Sequence, residues 1–141
     1  MKVYELQHIV GFEETNLVGN VYYANFVRWQ GRCREMFLHD HAPDILNELQ
    51  NGLFLVTVRV SCEYFNELYA LDTLVIRMRI GDITQNRITM LFDYNRVAED
   101  GETIIARGEQ QVACMGKQNN QLHPVPIPDT LQLALALFSG K

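Results

Sequence analysis

Several things are scarce in this 141-residue chain, and each scarcity removes a class of protein. Cysteines number three, Cys33, Cys62 and Cys114, an odd count spread through apolar stretches. That excludes a disulfide framework and fits reduced core thiols. Positive charge is in deficit: 12 Lys+Arg stand against 17 Asp+Glu, the net charge is −5, and the basic residues are scattered. A nucleic-acid partner, which needs a concentrated cationic footprint, is not expected. No apolar run approaches the ~18 residues of a membrane-spanning helix, and the N-terminus MKVYELQHIVGFEET lacks a signal-peptide apolar core. A soluble, cytoplasmic protein with no membrane partner is the expectation. Repeats, low-complexity segments and linkers are missing too. What is present is 48% hydrophobic and 21% charged residues, enough for one core, so residues 1–141 are read as a single domain.

Familiar catalytic signatures are also wanting. Neither Ser61 nor Ser139 lies in G-x-S-x-G, and there is no G-x-x-x-x-G-K-[ST] or G-x-G-x-x-G. The four histidines show no metal-ligand spacing with a carboxylate or thiolate. No metal or cofactor is implied.

Two periodicities occupy separate parts of the chain. Across Val21–Asp40, Tyr22, Phe26, Trp29, Cys33, Met36 and Phe37 recur at helical spacing, with Asn20 placed to cap the first turn. After Asn51-Gly52 the pattern alternates. Phe54, Val56, Val58, Val60, Cys62 and Tyr64 predict one strand face, with Thr57, Arg59, Ser61 and Glu63 on the other. The same parity recurs in Leu74–Ile80, in Ile88–Tyr94 and in a last run with Ile104, Ala106, Val112 and Cys114. Gln85-Asn86 and Glu99-Asp100-Gly101 read as tight links, so the last three strands form an antiparallel meander and a parallel Rossmann sheet is excluded. His8–Phe12 supplies a fifth strand, and Thr130–Phe138 a short apolar helix after Pro124–Pro128. The architecture expected is α+β: a twisted antiparallel sheet of about five strands wrapped around one long central helix, as in the hotdog fold. The sheet edge and the semi-apolar helix flank left over predict pairing of two copies into a continuous sheet.

Two features could carry chemistry. The polar loop Phe12–Asn20 runs directly into the helix, whose free N–H groups suit a carbonyl gaining negative charge. The alternative is that Asn16 and Asn20 only satisfy turns and caps. On the helix, Arg34 lines up with Tyr23, Val27, Gln30 and Leu38, a semi-apolar row, whereas Arg28 and Arg32 project to a solvated flank. A partly desolvated guanidinium could grip a carbonyl or carboxylate; the alternative is an intersubunit ion pair. Cys33 lies in the core stripe and reads as packing, and His39 and His41 as surface groups near the helix C-terminus.

The block FEETNLVGNVYYANFVRWQGRCREMFL resembles the signature of the 4-hydroxybenzoyl-CoA thioesterase family of hotdog proteins, F-x-D-x-D-x-x-G-x-V-x-Y-x-N-Y leading into the central helix. Phe12, Gly19, Val21, Tyr23 and Asn25 match, and Phe26 falls where many relatives have tyrosine. Asn16 replaces the family's catalytic aspartate, and an amide is neither a carboxylate nucleophile nor a base near neutral pH. Asn16 together with WQGRCREMFL at 29–38 is similar to the branch that releases polyketides in enediyne biosynthesis. This resemblance implies catalytic roles for Asn16, Arg34 and Thr57, and substrate contacts at Gly19, Val21, Tyr22, Tyr23, Phe26 and Tyr64. It implies hydrolysis of a β-keto acyl thioester, a polyene polyketide on an acyl carrier protein, with decarboxylation as a weaker second step. It further implies a homodimer or dimer of dimers. Competing readings are a general acyl-CoA or acyl-carrier hydrolase and a non-catalytic acyl-binding hotdog protein. A hotdog dehydratase is disfavoured because no histidine is found opposite an acidic residue; His8 and His123 lie at the chain's margins.

Overall fold

The computed structural model describes residues 2–139. Strand β1 (Tyr4–Ile9) leads through a short 3-10 helix, Phe12–Glu14, to helix α1 (Ala24–His41). Helix α2 (Pro43–Gln50) follows, then strands β2 (Leu53–Tyr64), β3 (Thr73–Thr84), β4 (Arg87–Ala98), β5 (Gly101–Gln118) and β6 (Gln121–Pro124), and helix α3 (Asp129–Leu137). The sheet order is β1-β3-β4-β5-β2, antiparallel throughout, with β6 added to β5. The expected meander is thus β3-β4-β5, turned by Gln85-Asn86 and by Glu99-Asp100 before Gly101. Both turns use positive φ, 55° at Gln85 and 120° at Gly101.

Alternation in β3 and β4 buries Leu74, Ile76, Met78 and Ile80 beside Ile88, Met90, Phe92 and Tyr94. Against this inner face α1 lays Phe26, Trp29, Gln30, Cys33, Phe37 and Leu38. The Tyr94 hydroxyl ties the layers together by donating to the Phe26 carbonyl at 2.7 Å. The outer sheet face carries ion pairs instead: Arg77 with Glu5 and Glu102, Asp93 with Arg79 and Arg107, and Arg59 with Glu109.

Four expectations need correction. Helix α1 begins at Ala24 with Tyr23 as its N-cap, not at Val21 with Asn20. Asn20 instead bridges Tyr69, and the Val21 N–H donates to the Leu68 carbonyl at 2.7 Å, so a backbone ladder holds these residues outside the helix. Tyr22 accordingly leaves the apolar stripe and is 46% exposed. The first strand lies earlier than His8–Phe12, because Tyr4–Ile9 pairs with Thr73–Met78. Helix α2 was unforeseen: it is 8 residues long, starts on Pro43, and anchors through the fully buried Ile45.

The last correction concerns β2. Thr57 pairs with Val112 and Arg59 with Gln111, leaving Val58 as a bulge. Upstream of it Leu53, Leu55 and Thr57 oppose Gly116, Cys114 and Val112, and downstream Val60 and Cys62 oppose Gln110 and Gly108. Since Val112, Cys114 and Gln110 are buried, both sets face α1. The extra residue moves Thr57 from the outer face to the inner one.

Candidate active site

The bulge places Thr57 beside Arg34, whose Nη1 lies 3.5 Å from Thr57 Oγ1 and donates to Gln110 Oε1 at 2.8 Å. Three elements, α1, β2 and β5, thus converge on one guanidinium. Gln110 is nearly buried, a fixed acceptor that limits where the remaining N–H donors can point. Burial disfavours the charged form of Arg34 and Glu35 nearby favours it; the balance lowers its proton affinity from the ordinary value, yet it stays cationic at physiological pH. Gln110 is the residue of this cluster that the sequence pattern left unmarked.

Gln30, one helical turn before Arg34, is fully buried, and its Nε2 donates to the Ser61 carbonyl at 3.1 Å. Gly108 makes the room: a Cβ there would stand 2.2 Å from Gln30 Nε2. Cys33 is buried with its thiol pushed up to about 12 by desolvation, which suits packing and not nucleophilic attack.

Asn16 sits in a small hairpin ahead of α1. Thr15 bridges Val21, the Asn16 N–H donates to the Asn20 carbonyl at 2.8 Å, and the Tyr22 N–H to the Glu14 carbonyl at 3.0 Å. The tip turns at Gly19, φ 95°, whose N–H donates to the Asn16 carbonyl at 3.0 Å. Asn16 Oδ1 accepts from the Val18 N–H at 3.1 Å, a side-chain turn that leaves Nδ2 without an acceptor among the described residues. Beside it Leu17 and Val18 are almost wholly exposed. The Gly19 N–H is spent inside the loop and the Val21 N–H on the Leu68 carbonyl, so neither is free to serve as an oxyanion donor.

The aromatic residues form a third group. Tyr22 and Tyr23 lie ring to ring at 4.6 Å, and Tyr64 meets Phe26 edge-on at 5.1 Å while donating to the Tyr23 carbonyl at 3.0 Å. Tyr22, Tyr23 and Tyr64 are exposed, whereas Val21 and Phe26 belong to the core and back this wall from behind. Burial, then the neighbouring Cys62, pushes the Tyr64 hydroxyl up to about 12.

Arg34 and Asn16, to both of which the resemblance gives catalytic roles, do not meet within one chain. Arg34 lies ten residues after Ala24, about 15 Å along the axis at ~1.5 Å per residue, while the hairpin abuts the helix start.

Residues 10–135 match the family model of the thioesterase-like superfamily. The chain belongs to this superfamily. A solved dynemicin thioesterase, for which polyene binding is described, is 45% identical to it with a TM-score of 0.95, each covering 98% of the other. More distant thioesterases share the fold. A Synechocystis 1,4-dihydroxy-2-naphthoyl-CoA thioesterase is 19% identical with a TM-score of 0.82, covering 96% of both chains. A Pseudomonas 4-hydroxybenzoyl-CoA thioesterase is 17% identical with a TM-score of 0.78, over 94% of this chain and 99% of its own. No curated protein matches the chain. The thioesterase is a thioester hydrolase of hotdog-like α+β fold, and no helix among its described residues is long and apolar enough to cross a membrane.

Proposed function

We propose that this thioesterase releases a linear polyene β-keto chain from the phosphopantetheine arm of an acyl carrier protein, at a site shared between two copies of the chain. The observation that carries the reading is Arg34, held by Gln110 at 2.8 Å beside edge strand β2 and separated from its own Asn16 by about half the length of α1. A two-fold axis that pairs β2 with its copy runs the two α1 helices antiparallel. The partner's Asn16 then comes to Arg34. The exposed Leu17 and Val18 give the hairpin apolar surface to bury in such an interface. The polyene described for the 45% identical dynemicin thioesterase, and the aromatic wall of Tyr22, Tyr23 and Tyr64, support a conjugated acyl chain.

In this reading the partner's Asn16 orients a water with its amide. The water oxygen bonds to the thioester carbonyl carbon, and Arg34 with Thr57 stabilises the tetrahedral oxyanion. Collapse breaks the C–S bond, and the departing thiolate takes the proton lost by the water, so no carboxylate base is required. Loss of CO2 from the freed β-keto carboxylate follows: the electrons of the broken C–C bond are held as an enolate facing Arg34, and its carbon then takes a proton from water to give the ketone.

Mass spectrometry of the product released from a polyketide-loaded carrier protein tests the chemistry: Arg34→Ala should abolish release. Equal release by both proteins would leave only a binding role, and equal turnover of unrelated acyl-CoA esters would point to a general hydrolase. Mixing Asn16→Ala with Arg34→Ala protein tests the shared site. Random exchange makes half the dimers mixed, each with one intact site, and should restore about a quarter of wild-type activity. No recovery after subunit exchange would place both groups in one chain.

A further inference from the structure

Glu14 is a buried carboxylate that the proposed chemistry does not use, and three donors from three parts of the chain converge on it. Its Oε1 accepts from His8 Nε2 on β1 at 2.7 Å and from the Gly11 N–H at 2.9 Å. Its Oε2 accepts from Trp29 Nε1 on α1 at 2.7 Å. A carboxylate can only accept here, so His8 must carry its proton on Nε2. The sequence reading had found no histidine opposite an acid; β1 supplies one from the chain's margin. The main chain of Glu14 is engaged as well, its carbonyl accepting from Asn25 Nδ2 at 2.8 Å and from the Tyr22 N–H. Glu14 and Tyr22 are the base of the hairpin whose turn opens at Asn16.

We infer that Glu14 is a positioning residue for hydrolysis: its carboxylate clamps the base of the hairpin to β1 and α1 and so sets the direction in which Asn16 is presented. The inference rests on the reading that Asn16 serves the thioester site. The lever is short. Asn16 is two residues beyond the clamp, about 7 Å of extended chain, so a tilt of ten to twenty degrees moves its amide by roughly 1–2 Å. Displacements of that size cost on the order of a hundredfold where a group must meet a reacting atom. Glu14→Gln is the sharpest perturbation, because the amide keeps the size but turns an N–H toward the Trp29 or the His8 and Gly11 donors.

The test is a double-mutant cycle in kcat at a temperature where every variant is folded by circular dichroism. Glu14→Gln should lower kcat at least about tenfold with KM within about twofold, and adding Trp29→Phe, which removes the opposing donor, should recover part of the loss. In an Asn16→Ala background Glu14→Gln should change kcat by less than about twofold, since the group it aims is gone. Full additivity of the two changes, or a wild-type kcat in Glu14→Gln, overturns the inference. Wild-type kcat in Asn16→Ala alone would overturn the underlying reading of Asn16 instead. Should Glu14→Gln fail to fold, Trp29→Phe alone, which keeps the carboxylate and two of its donors, must show the same dependence on Asn16; additivity there is equally fatal.

Discussion

Replacing Gln110 by leucine isolates what its side-chain oxygen does for Arg34. The two side chains are of similar size, so the substitution leaves no appreciable hole in the inner face of β5, and the change is polar. Arg34 loses its 2.8 Å acceptor and keeps only the 3.5 Å contact with Thr57. A hydrogen bond to a charged group contributes about 1.5–3 kcal/mol, which for a domain of this size lowers Tm by roughly 4–10 °C. If the guanidinium is aimed by Gln110, freeing it should also lower kcat at least about tenfold, equivalent to ~1.4 kcal/mol of transition-state stabilisation. Gln110→Glu separates position from charge. The carboxylate still holds Arg34 in place, so Tm should stay at or above wild type, but it neutralises the charge that the proposed mechanism sets against the oxyanion, and kcat should still fall. Thermal unfolding and release of free thiol from a model acyl thioester, followed in parallel, read both quantities. A Gln110→Leu protein with lowered Tm and unaltered kcat would refute the argument that this bond orients a catalytic group.

Gly108→Ala would set a methyl 2.2 Å from Gln30 Nε2, forcing that side chain off the Ser61 carbonyl. A loss of about 1–3 kcal/mol in urea unfolding is expected, largely recovered in Gly108→Ala/Gln30→Ala. Burial raises the Glu14 carboxyl, but the bonds from Gly11, His8 and Trp29 outweigh it and hold the group below the ordinary 4.5. Its contribution to stability is therefore complete above pH 4.5 and is lost as pH falls through the lower folded value, so Glu14→Gln should flatten the acid limb of a stability-versus-pH curve measured between pH 5 and 3. With its thiol buried and pushed up to about 12, Cys33 should resist alkylation at pH 7.5 in the native state and react fully in denaturant, as counted by peptide mass mapping.

How far the sequence could be read depended on how local each cause was. Strands β3 and β4 were legible because Leu74–Ile80 and Ile88–Tyr94 are apolar at every second residue, and the register of β3 against β4 shifts only after Ile80. Strand β2 misled below Val58, since a bulge is chosen by the neighbouring strand and leaves no mark in the alternation of β2 itself. Arg34 could be phased from the helix stripe, and its partner Gln110 was within reach of the same logic. The parity that put Ala106, Val112 and Cys114 inward also puts residue 110 there, and a polar residue on an inward face asks for a partner. Glu14 had no such signal: its donors come from residue 8 and residue 29, and only the folded chain brings them together. The start of α1 was misplaced for a related reason, because the Leu68 carbonyl that captures Val21 lies 47 positions away.

Strand order has a consequence for how the chain is made. Among the described residues, strand β2, which carries Thr57, pairs only with residues 106–116 of β5, and β1 only with residues 73–78 of β3. As the polypeptide leaves the ribosome, both edges must wait, β2 for some forty further residues of synthesis, while the meander that will receive them is still being added. Translation pauses or truncations before Ile104 would therefore strand an apolar ribbon with no mate, and chaperone demand should peak in that window and subside once β5 has emerged.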